Sequence, residues 1–284
     1  MSTCREFGLA CGRLPAGPSN DICDVPGVRI GHCTLKDGDI NTGVTAVLPH
    51  GRNLFREKVV AASHVINGFG KSIGLIQIDE LGTLETPILL TNTLSVGSCA
   101  TALVRHALSS NPDIGRTTST VNPVVAECND GPLNDIQALA ISEEHALQAI
   151  ESAAASPVVQ GSVGAGTGMT CFGYKGGIGS ASRRLAFGEA TQEAVLNSLL
   201  AAEPMVGRGG VARWSLAEAL QKDMAKDGWR DLNPPPGPIR QCPHAAFSLT
   251  AKRSGAPARP VFRAFPPATT ADHGPDRTDP ESSP

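Results

Sequence analysis

Two segments carry side chains whose types and spacing suit chemistry. Glu127-Cys128-Asn129-Asp130-Gly131-Pro132-Leu133-Asn134-Asp135 sets polar, turn-forming residues around one glycine, directly after the apolar run Val124-Val125-Ala126. A carboxylate at the end of such a strand, half in the core, needs partners or a shifted pKa, and it suits the ammonium of a peptide N-terminus. In a purely structural role the same carboxylate belongs to a surface turn. Asn129-Asp130-Gly131 is a strong turn signal, and Asn134 and Asp135 are suited to capping or to anchoring the loop. Downstream, the stretch 161–179 holds eight glycines in 19 residues, so its backbone can approach a ligand or another strand closely. Gly164-x-Gly166-x-Gly168 partly matches a dinucleotide fingerprint but lacks the third glycine spacing, a following helix pattern and a Lys-Ser/Thr pair. Ser162, Thr167, Ser180 and Ser182 offer hydroxyls in the same surroundings. Gly97-Ser98, Gly161-Ser162 and Gly179-Ser180 are bonds of the type that undergoes an N-to-O acyl shift. No G-x-S-x-G elbow is present.

The elements that must position these residues follow from periodicity. Val28 to Leu35 alternates apolar and polar and predicts a half-buried strand; Gly43 to Leu48, short, β-branched and bounded by Pro49, predicts a second strand. Lys58 to Ile66 suits a strand or a short helix. Gly74 to Ile78 reads as a strand, Leu81 to Thr86 as a turn and Pro87 to Asn92 as a brief apolar strand. Apolar residues at 99, 100, 103, 104 and 107 predict a helix through Ala100 to Ser109, capped by Ser95 or Ser98. Asn122 to Ala126 is a buried strand leading into the Glu127 motif. Ser142 opens a helix with an acidic first turn. Val158 to Lys175 is β-like in this reading, a glycine-rich strand pair where two sheets meet. Helical patterns recur over Thr191 to Ala202 and Ser215 to Met224. The order fits a layered α/β or α+β architecture.

Composition narrows the function. The chain has 284 residues, 40% apolar and only 4% aromatic, so its core rests on Val, Ile, Leu and Ala. A net charge of −3 argues against a nucleic-acid or membrane partner reached through bulk electrostatics. No run is long and apolar enough for a transmembrane helix, and Met1 to Glu6 lacks the layout of a secretory signal. The eight cysteines are scattered without C-x-x-C spacing, and no H-E-x-x-H pair occurs; reduced thiols and a cytoplasmic location are expected. From Pro234 to Pro284 lie 12 of the 22 prolines, a composition that propagates neither helix nor sheet. The expected organisation is an α/β domain over 1–184, a divergent and partly helical stretch over 185–233, and a disordered tail over 234–284.

The pattern from about Gly8 to Arg183 resembles the DmpA/BapA family of serine aminopeptidases, also described as L-aminopeptidase/D-esterases and β-peptidyl aminopeptidases. The resemblance rests on ordered blocks. They are Asn20 to His32, Thr42 to Pro49, Asn67 to Lys71, Leu84 to Ile88, Leu90 to Gly97, the Glu127 and Gly161 motifs, and Lys175 to Arg183. It implies a four-layer αββα sandwich, self-cleavage at a Gly-Ser bond that frees a nucleophilic serine, a small peptide or amide substrate, homo-oligomers, and no metal or organic cofactor. It also implies substrate-binding roles for Glu127, Asn129, Asp130, Gly131, Gly166 and Gly168. Two departures stand out. Pro132 occupies a place where the family commonly has Tyr, and proline has neither a hydroxyl nor an amide hydrogen to offer an oxyanion. The family's later strands, its Asn donor and its Gly-Ser nucleophile are not recognisable after Arg184. Ser248 lies at a compatible distance but in unlike surroundings, so the catalytic serine is unassigned. The readings left open are a serine-type aminopeptidase-family hydrolase impaired for lack of the nucleophile segment, an inactive remnant or binding module of the same fold, and a nucleotide-binding protein.

Overall fold

Alternation along β1 (Arg29–Asp37) and β2 (Ile40–Leu48) produces the first half of the main sheet. The two strands form an antiparallel hairpin closed by Gly38 and Asp39, with Asp37 opposite Ile40. Gly38 takes φ +55°, the positive value that tight two-residue hairpin loops demand. The computed structural model describes residues 4–9, 13–65, 68–184 and 188–224, and all that follows concerns these. A short strand β3 (Val59–Val60), helix α1 (Leu75–Leu81) and strand β4 (Thr83–Leu84) come next, then β5 (Ile88–Asn92), α2 (Val96–Ser110), β6 (Val124–Cys128) and α3 (Glu143–Glu151). The hairpin β7 (Thr170–Cys171) and β8 (Tyr174–Lys175) is followed by α4 (Gly188–Ala201), β9 (Met205–Val206), β10 (Ala212–Arg213) and α5 (Leu216–Met224).

The main sheet has the order β1-β2-β5-β6. β5 and β6 run parallel, and α2 makes the crossover that a parallel pair requires. Period-two patterning divides the core into two. Val44, Ala46 and Leu48 of β2, with Leu89 and Val125, pack under Cys99, Ala102 and Leu103 of α2 and Ala146, Ala149 and Ile150 of α3. Val47, Ile88 and Val124 face the other way, towards Val28, Ile78 of α1 and Leu84 of β4. Each fully buried aliphatic side chain of this kind contributes roughly 1.5–3 kcal/mol. The mixed α/β class expected from the sequence is the class observed, and no helix among the described residues is long and apolar enough to cross a membrane.

Several local expectations are corrected. Gly74 to Ile78 is not a strand: Leu75–Leu81 is helical, bracketed by Gly74 at φ +88° and Gly82 at φ +63°. A short apolar run is ambiguous between the two states, and the flanking glycines decide it. Thr83–Leu84, read as a turn, pairs with β3, which is all that forms of the expected element over Lys58 to Ile66. Ser95, one of the two expected residues, is the N-cap of α2, but its side chain makes no capping bond. Asn92 Oδ1 accepts from Leu94 N (3.1 Å) and Ser95 N (3.0 Å) at the 3-10 turn that leads into α2. The glycine-rich stretch forms a 3-10 turn at Gly164–Gly166 and the small β7–β8 hairpin, not a long strand pair.

The cause lies in packing. A Cβ on Gly179 would sit 1.8 Å from Ala194 O, and one on Gly161 2.2 Å from Ala201 O. Helix α4 therefore rests directly on the backbone of the glycine block. Its polar face is equally committed. Glu193, fully buried, bonds the guanidinium of Arg183 and that of Arg5 (2.8 Å), while Asn197 receives Cys4 N and donates to Ser180 O. The tail over 234–284 lies outside the described residues.

Gly179→Ala is expected to cost about 3 kcal/mol or more, because backbone must move to admit the methyl. Gly97→Ala, on an exposed turn of α2 with open space around it, should stabilise by about 0.5–1 kcal/mol. Urea denaturation of the two variants checks both the sign and the contrast.

Candidate active site

The parallel pairing of β5 and β6 sets Asn92 beside Cys128, so the Glu127 motif starts where two strands and the α2 region meet. Glu127 is 8% exposed. Its Oε1 accepts from Lys71 N (3.0 Å) and its Oε2 from the Thr93 hydroxyl. Asn92, besides capping, donates to Thr42 Oγ1 on β2 (2.9 Å). The carboxylate is thus held by a backbone amide from one side and a hydroxyl from the other.

The next residues form the turn expected of them. Asn129 Oδ1 accepts from Gly131 N (2.9 Å), an Asx turn. Asp130 points inward and is fully buried, with Oδ1 bonded by Asn134 Nδ2 (3.0 Å) and Oδ2 without a hydrogen-bond partner among the described residues. Burial drives its carboxyl up to about 6, against the opposing effect of the Thr42 and Asn134 side chains. Asn134 Oδ1 in turn receives Asn41 N (2.9 Å), Asn41 Nδ2 donates to Leu133 O (3.1 Å), and Asp135 N donates to Asp39 O (2.8 Å). The motif is therefore clamped to the β1–β2 hairpin tip. Asp135 is the N-cap residue of the 3-10 turn that follows, without a capping bond from its side chain. Gly168 closes the cluster from the glycine block: a Cβ there would lie 2.1 Å from Asn41 O and 3.2 Å from Asp130 Cβ. Gly207 presses on the motif from the other side, with no room for a Cβ beside Leu133 Cα at 2.3 Å.

Gly166 is buried and tied to the site through a residue that motif reasoning passed over as a binding group. Lys175, fully buried, donates to Gly166 O (3.0 Å) and Gly176 O (2.6 Å). Burial pulls its ammonium down to about 7, with Lys36 acting in the same sense and Asp130 and Cys128 against it. The one available signal was a lysine inside a glycine-rich, otherwise uncharged block, since buried lysines are rare. Asn41, Thr42, Thr93 and Lys71 were likewise unassigned; they lie 34 to 93 residues from their partners in the motif.

The hydroxyls in the glycine block are engaged structurally. Thr167 donates to Gly164 O (2.6 Å), Ser180 accepts from Ile22 N (2.8 Å), Ser182 donates to Asp24 Oδ2 (2.5 Å), and Ser162 accepts from Glu203 N (3.3 Å). The amides a phosphate would need are also taken. Gly164 N and Ala165 N go to the Thr34 and Thr45 hydroxyls, and Gly166 N and Thr167 N to the carbonyls of Val163 and Gly164. Those four amides are therefore not free to bind a phosphate in this conformation. Among the described residues no three His, Cys, Asp or Glu side chains converge as a metal site requires. A separate cleft of about 410 Å³, lined by Tyr174, Arg213, Trp214 and Glu218 among others, includes no residue of the motif.

The model of peptidase family S58 matches residues 20–190, which contain the whole of this cluster apart from Gly207. The chain belongs to peptidase family S58. It is 41% identical over 188 residues to the β-peptidyl aminopeptidase BapA of Sphingosinicella microcystinivorans, covering 63% of this chain and 46% of that protein. The S58 chain thus spans about half the length of the curated relatives it matches. Among solved structures, the PH0078 protein of Pyrococcus horikoshii OT3 superposes with a TM-score of 0.75 at 32% identity, over 79% of this chain and 99% of that one. The L-aminopeptidase D-Ala-esterase/amidase of Ochrobactrum anthropi, described as a prototype of the serine aminopeptidases and a new variant of the Ntn-hydrolase fold, gives 0.59 at 34% identity, over 66% and 55% of the two chains. The family and the fold class implied by the sequence blocks are those found.

The raised Asp130 carboxyl has a consequence for stability. The folded state favours its protonated form, so this contribution is full below about 4 and is lost as pH rises through about 6. In Asp130→Asn the loss cannot occur. The difference in Tm between variant and wild type should move in favour of the variant between pH 4 and pH 6 and stay constant above, as thermal denaturation across that range will measure.

Proposed function

We propose that this chain carries the substrate-amine half of a serine-type aminopeptidase-family site, for hydrolases that release N-terminal residues from small peptides, amides or esters. The observation that carries the reading is Glu127, a nearly buried carboxylate fixed by Lys71 N and the Thr93 hydroxyl at the carboxyl end of β6. A pre-set carboxylate of low exposure is suited to an ammonium, since charge-assisted hydrogen bonds are the strong ones. The aminopeptidase names of the relatives support the reaction class. Asn129 and Gly131 would frame the mouth of the site, while Asp130, Gly166 and Gly168 act from behind it. Self-cleavage, a homo-oligomeric assembly and a cytoplasmic location belong to the same proposal.

A second reading, a binding module or inactive form of the fold, is favoured by two observations. The hydroxyls of the glycine block are engaged structurally, and Pro132 has no group to offer a developing oxyanion. Removing one such donor costs about 10²–10³ in rate where it has been measured.

Intact mass and turnover of amino-acid p-nitroanilides separate the two. The hydrolase reading expects a product chain beginning with Ser or Thr together with release of p-nitroaniline; an uncleaved, silent chain supports the binding module. In either case Glu127→Gln should weaken binding of a small primary amine such as β-alaninamide by about 10–100-fold, the loss of one hydrogen bond to a charged group. Unchanged affinity by calorimetry would remove Glu127 from the site.

A further inference from the structure

Two buried ionisable side chains flank the Gly166–Gly168 turn, and Lys175 has been given no task above. Lys175 places its amine between the carbonyls of Gly166 and Gly176 at 3.0 and 2.6 Å. Asp130 lies across the Gly168 contact, with Oδ2 unpartnered. Among the described residues no salt bridge joins the two. A buried amine bonded by its nitrogen only to carbonyls, and a buried carboxylate with one oxygen unpartnered, are each costly for stability alone. Such arrangements cluster where a site must be held in one geometry.

We infer that Lys175 is a positioning residue: by holding the Gly166 and Gly176 carbonyls it sets the Gly166–Gly168 turn against Asn41, Asp130 and Asn134, and thereby the motif that carries Glu127. The chain of contact is continuous. Lys175 grips Gly166 O, Gly168 abuts both Asn41 O and Asp130 Cβ, and Asn134 joins Asp130 to Asn41. The inference rests on the reading of Glu127 as the amine-holding carboxylate, but its test uses no turnover.

The grip depends on pH. The charged groups facing Lys175 are Lys36 from β1, Cys128 from β6 and Asp130 from the motif. Its ammonium loses a proton at about 7, and the Asp130 carboxyl at about 6. Below the Lys175 transition a charged donor holds both carbonyls; above it a neutral amine, a weaker donor, remains. The turn and the motif should therefore loosen together as pH rises through 7.

Amide hydrogen exchange by mass spectrometry on the full chain, between pH 5.5 and 8.5 and corrected for intrinsic rates, reads this directly. In the wild type, peptides covering 161–169 and 127–135 should exchange about tenfold faster at pH 8 than at pH 6. Lys175→Met should exchange fast at every pH, and Lys175→Arg, charged throughout, slowly at every pH. A role in packing alone would shift protection without a pH step. A flat wild-type profile, or a step that persists in Lys175→Arg, overturns the inference, and so does a step confined to 161–169. If Lys175→Met does not fold, the arginine variant decides alone. Failure of the amine-binding reading shows instead in β-alaninamide calorimetry of Glu127→Gln, which leaves these profiles untouched.

Discussion

Contact between bare backbones governs this molecule. Helix α4 lies on Gly161 and Gly179 at distances no side chain would permit, and the helix brings Glu193 and Asn197 into the interior with it. Those two side chains then recruit Arg183, Arg5 and the amide of Cys4. Burying a carboxylate is tolerable only when it is paired and hydrogen-bonded, and Glu193 satisfies that condition with residues from both ends of the family-like region. The described residues after Arg184 therefore pack against the region before it, with Leu200 and Leu220 closing over Cys4. Gly207 reaches Leu133 inside the candidate site.

The site follows the same logic one layer further in. Its motif has little regular structure of its own, so its backbone and side-chain groups must be satisfied from elsewhere. The β1–β2 hairpin supplies Asp39 O and Asn41, α2's leading turn supplies Thr93, and the glycine block supplies the surface against which Asp130 and Asn134 are pressed. Glu127 has both oxygens bonded, one by the Lys71 amide and one by the Thr93 hydroxyl. Asp130, three residues on, is pushed towards its neutral form by burial.

What the sequence made legible was what local periodicity encodes. Strand β1 follows from alternation, β2, β5 and β6 from short apolar or β-branched runs, helices α2, α3, α4 and α5 from helical spacing and end signals, and the Asn129-Asp130-Gly131 turn from its own chemistry. The failures share one cause. Local pattern misplaces Gly74 to Ile78, whose state is set by its flanking glycines, and the 158–175 stretch, against which α4 packs at Gly161. Within the site, Glu127 and Asp130 could be placed from the strand they follow. Asn41, Thr42, Asn92 and Lys175 could not, because their roles are contacts across long separations, such as the 93 residues between Asn41 and Asn134.

This division bears on how the family's chemistry is distributed along its fold. Holding an amine requires a fixed anion, and Glu127 is fixed by groups within the span matched by the S58 model. Attack on a carbonyl requires a hydroxyl with its oxygen available and a base beside it. Ser162, Thr167, Ser180 and Ser182 are each already an internal donor or acceptor. Thr93, which does touch Glu127, has its proton directed at that carboxylate, and its neighbour Asn92 is spent as a cap. The fixed carboxylate lies within the span that the S58 model matches, and the hydroxyls named here are held by the network around it.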